Sequence, residues 1–131
     1  MAGTIQLEII TPTKVFDEGQ VDYVRALSLD GLFGVQSKHA PAIIALKTGE
    51  IKVVKEGKIN YFSTSGGFAD IRPENVQLLV ETAERGEDID KIRAQTALEK
   101  AQKTLQSDDA NHAWVRTALE RSQNRLKVAD L

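Results

Sequence analysis

A break in the chain's punctuation near residue 86 constrains it more than any other feature. All nine glycines (3, 19, 31, 34, 49, 57, 66, 67 and 86) and all three prolines (12, 41 and 73) lie at or before that point, and every aromatic except Trp114 lies at or before Phe68. Glycine supplies the backbone conformations that tight turns need, and proline interrupts helices and sheet ladders. A stretch that holds all of both is built from short segments joined by turns. The stretch that holds neither is free to run as uninterrupted helix. Two units follow, residues 1–86 and residues 87–131.

The first unit reads as strands. TIQLEIITP, QVDYVRALSL, GEIKVV, KINYFSTS and NVQLLVE alternate in polarity or are rich in β-branched residues. Turn signals fall at DEG (17–19), DGLFG (30–34), KEGK (55–58) and RPEN (72–75). Strands at this spacing, with no helix between them, imply a small antiparallel sandwich or barrel.

The second unit is helical. Glu87 or Asp88 is placed to cap a helix, and Ala94, Ala97, Leu98, Ala101 and Leu105 fall on one face. SDDAN (107–111) breaks the run, after which Trp114, Ala118, Leu119, Ser122, Leu126 and Ala129 stripe a second helix, with Trp114 as the expected anchor. So short a connection predicts an antiparallel hairpin. Its stripes are mostly alanine, which buries little area at roughly 25 cal/mol per Å². The hairpin is therefore expected to dock on something, or to exchange between folded and opened forms.

Composition excludes several function classes. The 131 residues carry a formal charge of -2 with 27% charged side chains, so nothing marks a nucleic-acid binder. With no cysteine there is no disulfide, thiolate metal site or cysteine nucleophile. No charged-then-apolar leader opens the sequence and no run of about 18 apolar residues occurs, so the expectation is a soluble chain that meets a membrane only through a partner. SGGF (65–68) lacks the G-K-[ST] ending of a phosphate-binding loop and reads as a turn or bulge that needs positive φ. His39 has no histidine or carboxylate constellation around it in the sequence, and HAP (39–41) suits a structural or interfacial turn. No catalytic set emerges.

The helical cations divide into two groups. Lys91 has Glu87 and Asp88 at helical spacing, Arg93 has Asp90, Lys103 has Glu99, Arg116 has Glu120 and Lys127 has Asp130. Lys100, Arg121 and Arg125 have no carboxylate three or four residues away, and Arg121 and Arg125 form a like-charge i, i+4 pair costing about 0.2–0.5 kcal/mol. With the turn centred near Asp108, antiparallel pairing sets Arg93 level with Gln123, between Arg121 and Arg125, and sets Asp90 level with Leu126. Guanidinium forks suit phosphate oxygens, and a carboxylate can accept from an amino or hydroxyl group. Two readings stand on spacing alone: a nucleotide site in the hairpin groove, or a solvated helix face whose arginines point to water.

Residue motifs then carry a resemblance over essentially the full chain. ITP (10–12), GLFGVQSKHAP (31–41, against G-x-x-G-h-x-x-x-H-A-P), SGGF (65–68), AER (83–85), IDKIRA (89–94, against I/L-D-x-x-R-A) and NRL followed by Val128 occur in the order of the epsilon subunits of bacterial F-type ATP synthases, which the chain resembles. The resemblance implies a ten-stranded β-sandwich head at residues 1–86, seated on the gamma subunit and c ring, and a regulatory helical hairpin at 87–131. It implies a non-catalytic rotor subunit of a proton- or sodium-translocating synthase, peripheral on the cytoplasmic face of the bacterial plasma membrane. In ATP-binding members the folded hairpin holds ATP as a regulatory ligand, and the extended hairpin enters the alpha/beta hexamer and blocks hydrolysis. Carried over by position, the implied ATP set is Glu84, Ile89, Asp90, Arg93, Ala94, Lys100, Arg121 and Arg125. Lys100 departs from the pattern, standing where the binding members have arginine, so it keeps the charge but not the fork. The alternative reading is a stand-alone nucleotide-sensing adaptor with the same tail.

Overall fold

The computed structural model of the chain describes residues 3–105 and 113–131. SDDAN and His112 lie outside the described residues. Ten strands come first: β1 (Ile5–Ile10), β2 (Val15–Val21), β3 (Tyr23–Ser28), β4 (Gly31–Val35), β5 (Ala42–Leu46), β6 (Gly49–Lys55), β7 (Lys58–Thr64), β8 (Gly67–Ile71), β9 (Asn75–Val80) and β10 (Ala83–Arg85). A single 3-10 turn over Gly86–Asp88 leads into α1 (Lys91–Leu105), and α2 (Ala113–Ala129) follows. This is the β-sandwich plus two-helix tail that the sequence implies.

Strand order is β10-β7-β6-β3-β5-β8-β9-β1-β2, with β4 paired to β3 off that path. All pairings are antiparallel except β1 with β9, where Gln6 to Ile10 run beside Asn75 to Leu79. Polarity alternation selects the buried face. In β1, Ile5, Leu7 and Ile9 are fully buried, and they meet Phe16, Val21, Ile51, Phe62, Ile71, Val76 and Leu78 in one core.

The first and last strands of the path are tied together by an ion pair. Arg85 of β10 forks onto Glu18 of β2 at 3.1 and 2.7 Å, and its guanidinium lies 4.9 Å from the Phe62 ring centroid and 5.6 Å from that of Phe16. The Glu18 side chain is only 8% exposed, so its carboxylate depends on this partner. The hydrogen bond and charge of Glu18 raise the Arg85 pKa above the ordinary arginine value, against an opposing desolvation effect.

Several turn readings change. DGLFG was expected to be a turn, but Gly31–Val35 is β4 and the turn is confined to Leu29 and Asp30. DEG lies inside β2, where Gly19 (φ 71°) follows a register shift opposite Leu7 and Glu8, so it is a bulge rather than a chain reversal. SGGF does require positive φ, at 111° for Gly66 and 151° for Gly67.

The helices stack on the sandwich in order. α1 packs on α2, which packs on β6, β7 and the 3-10 turn. α2 therefore has two covered faces, and its buried residues are Val115, Ser122 and Val128. Trp114 does not anchor the hairpin by burial; it is 63% exposed, and the neighbouring Val115 takes the inward position.

Candidate functional site

The polar joint between head and tail is the most developed site in the molecule. α2 lays Arg121 and Arg125, one helical turn apart, over the β9–β10 connection, which carries Glu81, and over β10, which carries Glu84. Arg125 forks onto Glu84, Nε to Oε1 at 2.6 Å and Nη2 to Oε2 at 3.0 Å. Arg121 Nη2 reaches Glu81 Oε2 at 3.2 Å. Between them in sequence, Asn124 Nδ2 donates to the Gly49 carbonyl at 2.7 Å and to Ser63 Oγ at 3.1 Å. The two arginines that lack a carboxylate three or four residues away on α2 thus find one each on the head, about forty residues earlier in the chain.

Beside these pairs lies a cavity of about 340 Å³, lined by Ser63, Thr64, Ser65, Thr82, Glu84, Ala118, Arg121, Ser122 and Arg125. Its head wall is a hydroxyl network: Thr82 Oγ1 donates to Ser65 Oγ at 2.8 Å and accepts from the Ser65 amide at 3.2 Å. Two guanidiniums and several hydroxyls line the cavity together with Glu84, and the guanidiniums are already paired, with Glu81 and Glu84.

The expected nucleotide residues divide between this cavity and α1. Glu84, Arg121 and Arg125 come together at the cavity. Asp90 is the N-cap of α1, with Oδ1 accepting the Arg93 amide at 3.0 Å. The expected cap at Glu87 or Asp88 is displaced because the 3-10 turn occupies those residues. Ile89 and Ala94 are buried, at 7% and 0% exposure, and serve packing. Arg93 and Lys100 are exposed on α1 and do not line the cavity. Lys91, expected beside Glu87 and Asp88, instead pairs across the hairpin with Asp130 at 2.9 Å.

Glu81, Ser63 and Asn124 were missed by sequence reasoning. Two arginines without helical partners pointed to anions elsewhere, but nothing in the sequence singled out Glu81. His39 Nδ1 lies 2.6 Å from the carbonyl oxygen of the adjacent Ala40, just after the turn at Ser37 and Lys38 (φ 63°). Among the described residues no cluster of His, Cys, Asp or Glu is arranged to hold a metal, and no helix is long and apolar enough to cross a membrane.

A second surface lies on the head. Ala45, Phe68, Leu79, Ile10 and Val15 are successive cross-strand partners along β5, β8, β9, β1 and β2. Phe68 and Val15 are each 55% exposed and Leu79 43%, with Ile43 at 77% two residues from Ala45. A continuous apolar row open to solvent across five strands marks a contact surface.

Comparison with known proteins agrees along the whole chain. Residues 4–86 match the model of the ATP synthase delta/epsilon chain beta-sandwich domain, and residues 87–130 match that of the delta/epsilon chain long alpha-helix domain. The ATP synthase epsilon chain of Shouchella clausii is 37% identical over 127 residues, covering 97% of this chain and 96% of the relative. That of Staphylococcus haemolyticus is 40% identical over 131 residues, covering 98% of each. Among solved structures, a chain of the Euglena gracilis mitochondrial ATP synthase OSCP/F1/c-ring assembly superposes with a TM-score of 0.84 at 27% identity, covering 100% of this chain and 84% of that one.

Proposed function

The chain belongs to the ATP synthase delta/epsilon chain family, and from that premise we propose that it is a non-catalytic central-stalk subunit whose tail regulates ATP hydrolysis. The head seats on the gamma subunit and c ring through the apolar row from Ala45 to Val15, and any membrane association runs through the assembled complex at its cytoplasmic face. The tail folds against the head in the permissive state and extends into the alpha/beta hexamer in the inhibitory one.

The observation that carries this reading is the asymmetry of packing. The head closes a continuous apolar core of its own, whereas the stretch of α2 beside the cavity meets it through arginine, asparagine and serine side chains, with Val115 and Val128 as the helix's buried apolar residues. A tail attached by polar contacts leaves without exposing a core. ATP, as a regulatory ligand, places phosphate oxygens against Arg121 and Arg125 in the folded state. Arg93 and Lys100 stand on the adjoining helix, and Asp90 contributes by fixing where that helix begins.

Two measurements test the reading. In the assembled synthase, removal of residues 88–131 should leave assembly and ATP synthesis intact and raise hydrolysis. A complex that fails to assemble without the tail overturns the division of labour. Millimolar ATP should raise the melting temperature of the isolated chain, since a ligand bound only to the folded hairpin stabilises it. An unchanged melting temperature at that concentration removes the nucleotide from the proposal.

A further inference from the structure

We infer that Glu84 and Glu81 form an electrostatic latch on Arg125 and Arg121, and that this latch, rather than apolar packing, sets the fraction of chains whose tail is docked. The inference rests on the proposed docking and release of the tail, and names the groups that control it.

Three observations carry it. The first is the match of charge across the joint. Arg121 and Arg125 repel each other at i, i+4 and have no carboxylate three or four residues away on α2, so in a free helix their charges are unmatched. Docking supplies both missing carboxylates at once, the Arg125 pair in bidentate geometry. The second is the scarcity of apolar contact at the cavity. Among its lining residues only Ala118 is apolar, while Ser63, Thr64, Ser65, Thr82 and Ser122 bring hydroxyls. The third is solvent access. Glu84 and Arg125 side chains are 38% and 26% exposed, and Glu81 and Arg121 are 69% and 45% exposed. Dissolved salt therefore reaches the latch and weakens it, the outer pair before the inner one.

Asn124 gives the latch its register. Its amide spans the Gly49 carbonyl and Ser63 Oγ, on β6 and β7, so Arg125 meets Glu84 only when α2 lies at one height along those strands. Undocked, α2 presents two guanidiniums with no carboxylate three or four residues away, ready for another anion.

The absence of native cysteine makes the test direct. Spin labels attached at Lys58→Cys on the head and Gln123→Cys on α2 report docked and released populations in the full chain. Glu84→Arg should lower the docked-to-released ratio about tenfold or more, and the double variant Glu84→Arg with Arg125→Glu should restore it. Raising sodium chloride to about 1 M should release the wild type and leave the head's thermal melt in place. A Glu84→Arg chain as fully docked as the wild type overturns the latch, and so does a charge swap that fails to restore docking. The swap also guards against misfolding, because a β10 damaged by the first change is not repaired by the second. Failure of the tail deletion to alter hydrolysis bears on the regulatory proposal alone and leaves these populations unaffected.

Discussion

The carboxylate of Asp90 accepts the backbone amide of Arg93, not its guanidinium, at 3.0 Å. The D-x-x-R spacing therefore starts a helix. Asp90→Ala should cost about 1 kcal/mol of tail stability, the usual worth of an N-cap, while Asp90→Asn keeps most of it. Arg93→Ala leaves the amide in place and should stay within about 0.5 kcal/mol of the wild type. Helical circular dichroism during urea titration checks these values, and ATP titration of the same variants reads any ligand role separately.

Glu18→Ala should be much more damaging. It strands Arg85 over Phe16 and Phe62 without its carboxylate, and the loss should be about 2–3 kcal/mol, below the ~3–5 kcal/mol of a fully buried pair because Arg85 keeps contact with water. Denaturant unfolding of the head measures it. The pH dependence has a definite sign. The arginine pKa is raised on folding, so its contribution is fully present below the ordinary arginine range and is lost only as pH climbs through the raised value. Between neutrality and mild alkali the Arg85 contribution should be flat.

Gly67→Ala should unfold or severely weaken the head. At φ 151° an added Cβ would run into the Leu79 carbonyl oxygen and lie 2.7 Å from the Val80 Cα, both backbone atoms of the paired strand. The expected cost exceeds about 2 kcal/mol, from strain at a special backbone position. Expression level and melting temperature report it, and Gly57→Ala, where nothing lies within 4 Å of the added Cβ, provides the comparison for positive φ alone.

Gly86→Ala should act on the tail and spare the head. Its Cβ would sit 3.1 Å from the Val128 carbonyl oxygen and 3.4 Å from the Tyr61 carbonyl oxygen, where the end of α2 closes on the junction. The same spin-label pair should show a larger released population, with the melt of the head unchanged.

A fragment of residues 1–86 should fold alone, with a cooperative melt and a β-type circular dichroism spectrum. The closed core lies wholly within those residues. An unfolded fragment would show that α2 is needed to complete the head.

How much of this was legible depended on the range of the interaction. Alternation exposed β1, β3, β6, β7 and β9, because one solvated and one buried face write a period of two into the sequence. AIIAL, now β5, and AER, now β10, carry no such signature; the first is apolar throughout and the second is three residues long. DGLFG read as a turn because its glycines dominate the local signal, yet pairing with β3 draws all but its first residue into a strand. In the tail, helix and hairpin were readable from spacing. The cap was misplaced by two or three residues, since nothing local distinguishes Asp90 from Glu87 and Asp88. Trp114 was assigned inward from its place in the helical stripe, but it is exposed, and Val115 and Val128 are the buried apolar residues of α2. The cavity's arginines were identified by their lack of helical partners, but Glu81 and Asn124 became visible only when chain folding set α2 over β10, β7 and β6.

The parallel pairing of β1 with β9 has a consequence for the birth of the molecule. Glu8 and Gln77, hydrogen-bonded across it, are 69 residues apart in the chain. Since β1 is made before β9, it waits without that neighbour until nearly the whole head has been synthesised. Such distant pairing slows folding and leaves β1 in need of protection from wrong partners meanwhile. The helices emerge after the residues that carry Glu81 and Glu84, so the tail first meets the head as a finished surface.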